Sequence, residues 1–156
     1  LHTRCRCRSL ASPGGLLWRI VTERIWILVL VFIGGGLGSL ARFGVSGFCG
    51  RWWGETFPWG TLVVNVSGSL AIGFFATLSG PEGRFVVGPA GRVFFMLGLG
   101  GGYTTFSSFS LQTLNLLREG EWLPAALNVL LSVTVCLLGV WLGHLAASGL
   151  NSLRGG

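Results

Sequence analysis

The chain contains no aspartate and no lysine, and only five glutamates and two histidines among its 156 residues. A Ser–His–Asp set is impossible without aspartate. Glu23, Glu55, Glu82, Glu119 and Glu121 all fall outside the long apolar runs, and His2 and His144 stand near the two ends of the chain. No constellation for catalysis is present, so the chain is not expected to be an enzyme. Charged residues make up only 10% of the chain, where soluble domains carry about 25%. With 51% hydrophobic residues and a mean hydropathy of +0.70, too little charge is left to cover a soluble surface. The composition points to an integral membrane protein; the expectation is an all-α, multi-pass protein of the cell inner (plasma) membrane.

The four cysteines form no disulfide framework. Cys5 and Cys7 make a C-x-C pair, but no second Cys or His pair completes a tetrahedral metal site. Cys136 falls inside an apolar run and reads as packing.

All 11 basic residues are arginine. Five of them (Arg4, Arg6, Arg8, Arg19, Arg24) precede residue 25 against the single Glu23, a net +4 in that segment. The basic charge thus belongs mostly to a tail beside a hydrophobic segment, which reads as a cytoplasmic flank and not as a nucleic-acid-binding face. Residues 1–24 are expected to be a disordered basic tail, 25–147 a four-helix transmembrane domain, and 148–156 a short C-terminal tail.

A helix needs about 20 apolar residues to cross the hydrocarbon. Four segments qualify: Ile25 to about Gly47, Gly60 to Ser79, about Val86 to Leu117, and Leu123 to Ala147. Trp52, Trp53, Trp59 and Trp122 fall at their ends, as an aromatic belt places them. Small residues at four-residue spacing (Gly34/Gly38, Gly35/Ser39) and a run of them in the second segment (Gly60, Ser67, Gly68, Ser69, Gly73) let helix backbones approach closely. Such packing is expected to leave little room for an internal cavity, which favours function at the interface of an oligomer.

"ILVLVFIGGGLGSLA" also satisfies a dinucleotide-binding pattern, through Gly36, Gly38 and Ala41 after an apolar stretch. That motif needs a soluble βαβ unit. Further apolar spans follow instead, and the reading fails.

The third segment is too long for one straight span, and "GLGGGYTTFSSFS" interrupts it mid-membrane. Gly98, Gly100, Gly101 and Gly102 make a break possible there. Unwound backbone at that depth must face protein, water or an ion, and a broken helix offers carbonyls and amides for coordination. Phe106 and Phe109 share one helical face, beside a polar stripe of Thr105, Ser108 and Gln112; Asn65 projects from the second span. Phenyl edges are weakly positive. Ring edges, hydroxyls and amides together replace an anion's water without trapping it, as conduction requires.

With "GGGLGSLARF", "GTLVVNVSGS", "GLGGGYTTFSSFS" and "LLREGEW" in this order within a four-span chain, the sequence from Ile33 to His144 resembles the CrcB/Fluc fluoride channels. The resemblance implies a dual-topology, antiparallel homodimer with two fluoride pathways and a central structural Na+, and no other protein partner. Carried over by position, the backbone carbonyls of Gly101 and Thr104 correspond to the sodium ligands. Phe106, Phe109 and Asn65 match residues of the fluoride pathway, joined by Thr105, Ser108 and Gln112, and Arg42 matches the arginine of an aqueous vestibule. The expected function is passive fluoride efflux that lowers the cytoplasmic fluoride level. Two departures stand out: Gln112 replaces a glutamate found in many members, and Tyr103 replaces an apolar residue. The alternative, a proton-coupled small four-helix exporter, requires a membrane-embedded carboxylate, and no glutamate lies within a span.

Overall fold

The computed structural model describes residues 13–54, 56–80, 83 and 85–153. Among them every regular element is helical: α1 (Pro13–Trp53), α2 (Trp59–Leu78), α3 (Pro89–Val93), a π-helical segment π1 (Phe94–Gly100), α4 (Gly101–Tyr103), α5 (Phe106–Arg118) and α6 (Trp122–Ser152). Val21–Trp53, α2 and α6 are each long and apolar enough to cross a membrane. Cys5, Cys7, Glu55, Glu82, Arg84 and Arg154 lie outside the described residues.

Helix ends follow local chemistry. Gly54, at φ +75°, closes α1 with its N–H on Gly50 O at 3.1 Å. Gly120, at φ +80°, ends α5: its N–H donates to Leu117 O at 3.2 Å, and the Glu121 N–H reaches Leu116 O at 2.9 Å. This pair of bonds is a Schellman motif, and only glycine takes its left-handed position without strain. It lets α6 begin two residues later. Pro89 opens α3 at the position where a missing N–H costs nothing.

Two boundaries differ from the sequence expectation. The first helix begins at Pro13, well before Ile25, because nothing between them breaks a helix once the apolar segment has nucleated it. The last helix runs through Ser152, five residues beyond Ala147. Residues 1–12 of the tail lie outside the described residues.

Packing rests on small residues, as the spacing predicts. α2 lies chiefly against α6, and α1 against π1 and α4. A Cβ on Gly34 would stand 2.9 Å from Phe94 O, and one on Gly38 would fall on the Leu99 carbonyl. Gly102 meets the Gly35 backbone in the same way. Across the other pair, Gly73 abuts the Val140 carbonyl and Gly143 the Leu70 carbonyl. These contacts bring backbones together with no side chain between them, the arrangement that holds helices in lipid. The exterior is correspondingly apolar: Phe32 and Phe43 are more than four-fifths exposed.

The third segment is broken, but not where its glycines suggest. Gly98, Gly100, Gly101 and Gly102 are all helical. The chain opens at Thr104 (φ −76°, ψ 156°) and Thr105 (φ −151°, ψ 108°), both extended. Gly98 and Gly102 serve the approach to α1 instead, against Gly34 and Gly35, and the turn between them is widened: the Gly101 N–H reaches back five residues to Met96 O. A π segment of this kind is rare and tends to accompany functional sites.

Candidate functional site

Asn65, half-buried on α2, faces the break. Its Nδ2 donates to Thr105 O at 3.1 Å, and its Oδ1 accepts from Thr105 N at 2.8 Å. One side-chain amide thus satisfies both backbone groups of a residue that belongs to neither helix half, as a neighbouring strand would. In hydrocarbon each group left unpaired costs several kcal/mol.

Thr105, 7% exposed, then caps α5. Its Oγ1 accepts from the Ser108 N–H at 3.2 Å and lies 3.0 Å from Ser108 Oγ and 3.3 Å from Ser107 Oγ. Threonine at this position satisfies one of the amides that a helix start leaves open. The remaining N-terminal amides of α5 point toward the break, where a helix favours negative charge.

Thr104 doubles back on the first half: its N–H and its Oγ1 each end on Gly100 O at 3.0 Å. The Gly101 carbonyl is left without its regular donor. In a continuous helix that donor is the Thr105 N–H, which Asn65 takes instead. Gly101 is exposed on this chain and Thr104 half-buried.

Phe106 and Phe109 lie with ring centroids 5.2 Å apart, tilted by 48°. Phe106 is 77% exposed and Phe109 only 8%. Both border a cavity of about 380 Å³ that is also lined by Asn65, Thr105, Ser132 and Cys136. It is a groove open to the surface of the chain and not an enclosed cavity. The break itself makes the room, since a missing turn leaves space between α2, α5 and α6.

Five of the residues singled out by sequence therefore meet at one place: Asn65, Thr104, Thr105, Phe106 and Phe109. Ser108 works as part of the Thr105 cap and does not line this cavity. Gln112 sits further along α5 with its Oε1 buried and unpartnered. Arg42 is half-buried on α1, does not line this cavity, and makes no hydrogen bond or ion pair among the described residues. The structure thus does not bring Arg42 and Gln112 to the cavity.

The residue patterns alone did not bring out α6. Asn128, 1% exposed, donates from Nδ2 to Thr113 Oγ1 at 2.8 Å and accepts from Ser132 Oγ at 3.4 Å. Thr113 in turn donates to Phe109 O at 2.8 Å. A chain of donors therefore runs from the cavity wall at Ser132 to the backbone of Phe109. The signal was present: Asn128 and Ser132 are four residues apart in an otherwise apolar run, on one helical face. Among the described residues no group of three or more His, Cys, Asp or Glu side chains is placed to hold a metal.

The model of the family described as CrcB-like protein, Camphor Resistance (CrcB), matches residues 29–144. The fluoride-specific ion channel FluC of Opitutus terrae is 62% identical over 129 residues, which cover 83% of this chain and 98% of that protein. The protein of the same description from Methylocella silvestris is 57% identical over 133 residues, 85% of this chain and 98% of the relative. That of Rhodospirillum rubrum is 58% identical over 123 residues, 79% and 95% of the two chains.

Proposed function

This chain belongs to the CrcB-like family, and from that premise we infer that it is a fluoride-specific ion channel, a multi-pass membrane protein and not an enzyme. The observation that carries the reading is identity of up to 62% across nearly the whole length of relatives that bear this description. The finer picture is our own proposal. α1, α2, the unit from α3 to α5, and α6 form four spans in the inner membrane, the third of them broken. Two copies associate antiparallel, and fluoride leaves the cell passively along two pathways.

In this picture fluoride passes the tilted edges of Phe106 and Phe109 and exchanges water for donors at the break. The hydroxyls of Thr105 and Ser108, the N-terminal amides of α5 and the amide of Asn65 supply those donors. Gln112 lies further along the same pathway, and Arg42, about three turns before the end of α1, draws anions to a vestibule. None of these groups except Arg42 carries a full charge, so the ion is attracted without being held. Ser132, on the opposite wall of the cavity, joins this set.

The residues at the break also fit the family's structural sodium ion. The Gly101 carbonyl has lost its helical donor, lies on the exposed face of the chain, and is neutral, as a site for one monovalent cation requires. Gly101 and Thr104 of each copy would hold the ion between the two chains. When bound, it supplies a fixed positive charge that ties the two breaks together.

Fluoride efflux from liposomes, with and without an imposed proton gradient, tests the function. Flux that follows the fluoride gradient alone supports a passive channel, whereas flux that requires the proton gradient supports the exporter. Absence of flux refutes both.

A further inference from the structure

Tyr103 is the only tyrosine in the chain, at a position where the break needs no polar side chain. Its Oη lies 2.9 Å from Ser67 Oγ on α2. Ser67 has one hydroxyl proton, and this is directed at Val63 O (2.7 Å) with Val64 O at 3.2 Å. The phenol is therefore the donor and Ser67 Oγ the acceptor. The ring reaches Ser67 by crossing α2 at Gly68, where a Cβ would stand 3.1 Å from Tyr103 Cδ1 and fall on Thr104 Cγ2.

Thr104 is thus flanked by two anchors on the same helix. The residue before it is tied to Ser67, and the residue after it to Asn65. Its own amide and hydroxyl are spent on Gly100 O. The Thr104 carbonyl lies in the peptide plane of the Thr105 N–H that Asn65 holds, and the Tyr103 anchor fixes the chain on its other side. A phenyl ring would cover Gly68 equally well, so the hydroxyl adds register along α2 and not apolar contact.

We propose that Tyr103, acting through Ser67, is a positioning residue that aims the Thr104 carbonyl and so sets how tightly the break holds sodium. The inference rests on the reading of Gly101 and Thr104 as the sodium carbonyls. Carbonyl sites discriminate between cations by the number and strength of the dipoles they present. A carbonyl free to swing presents a weaker and less selective field.

The test uses the full-length protein in detergent micelles, with NaCl replaced stepwise by the N-methylglucamine salt at constant ionic strength. Thermal unfolding is followed by tryptophan fluorescence, and the sodium concentration that gives half of the sodium-dependent rise in Tm is read. Tyr103→Phe is expected to raise that midpoint about two- to tenfold, the effect of one hydrogen bond. Ser67→Ala is expected to do the same, the double variant to add nothing further, and Ser67→Thr to keep the wild-type midpoint. If Tm falls equally at every sodium concentration and the midpoint stays put, the hydroxyl is merely structural and the proposal is overturned, with the sodium site left standing. A wild-type Tm indifferent to sodium overturns the sodium site and, with it, this role for Tyr103.

Discussion

The side chain of Asn65 holds both backbone groups of Thr105, at 3.1 and 2.8 Å, and this pair of hydrogen bonds is what makes the helix break tolerable. The Thr105 N–H goes to Asn65 Oδ1 and not to the carbonyl one helical turn back. An asparagine on α2 satisfies both groups because a primary amide presents a donor and an acceptor in the same sense as a peptide. The break and its cavity thus depend on a residue 40 positions away in the chain.

Asn65→Ala leaves the Thr105 N–H and C=O unpaired, at a cost of about 1–3 kcal/mol for each group. A clear drop in Tm and a loss of fluoride flux are expected together. Asn65→Asp keeps the acceptor and loses the donor, and should fall between. Flux at the wild-type rate in Asn65→Ala liposomes would mean that the clamp is not needed for conduction.

Phe106 and Phe109 separate into two roles. Replacement by Ile removes the ring edge and keeps apolar bulk, so both variants should lower flux sharply. Only Phe109→Ile should also lower Tm, since Phe109 is 8% exposed and Phe106 77%. Loss of close packing at a buried aromatic costs about 1–3 kcal/mol. Flux and melting measured side by side check this; unchanged flux in both variants would exclude the rings from the pathway.

The glycine contacts predict a position-specific pattern. Gly38→Ala and Gly73→Ala place a methyl on the Leu99 and Val140 carbonyls, where backbone must move. Overpacking of this kind costs about 1–3 kcal/mol. Gly54 and Gly120 resist substitution for a different reason, their positive φ. Gly44→Ala meets nothing within 4 Å in the chain and serves as the control. Thermal unfolding that ranks Gly44→Ala with Gly38→Ala would place a second surface against α1.

Cys136 lines the cavity beside Phe106 and Phe109, whereas Cys49 is 2% exposed. A small methanethiosulfonate reagent is therefore expected to slow fluoride flux in a protein with Cys5 and Cys7 replaced by Ser. Cys136→Ser should remove that sensitivity. Complete labelling of Cys136 that leaves flux unchanged would show that the cavity is not on the ion's route.

Orientation supplies the last prediction. Leaving out residues 1–24, Arg84, Arg92 and Arg154 fall on the N-terminal side and Arg42, Arg51 and Arg118 on the other, so charge favours neither insertion. The tail's five arginines bias the N-terminus toward the cytoplasm. Reporters fused to the C-terminus, with and without residues 1–24, should read one orientation and then both. A tail-less chain that still reports one orientation rules out the antiparallel dimer.

Much of this was legible in the sequence, for physical reasons that operate locally. An apolar run of membrane length without charge forms a helix whatever its neighbours, because lipid offers the backbone no other partner. Four-residue spacing put Gly34 and Gly38 on one face before any helix was there to meet them. Apolar composition set the solvent, and the polar stripe after Phe106 marked where the site lies.

Other features belong to the tertiary structure, because they depend on which backbone groups find partners across the fold. The glycines in "GLGGGYTT" made a break plausible, yet they remain helical, and Gly98 and Gly102 serve close approach to α1 instead. The break moved to Thr104 and Thr105, which α2 reaches with the bare surface of Gly68 and with Asn65, while Ser67 holds Tyr103 just before them. Asn128 and Ser132 acquire their meaning only when α6 stands beside α5 and one amide links a cavity wall to the Phe109 carbonyl. Residue pattern fixes which groups a segment must bury, and packing of the segments decides which partner each buried group receives.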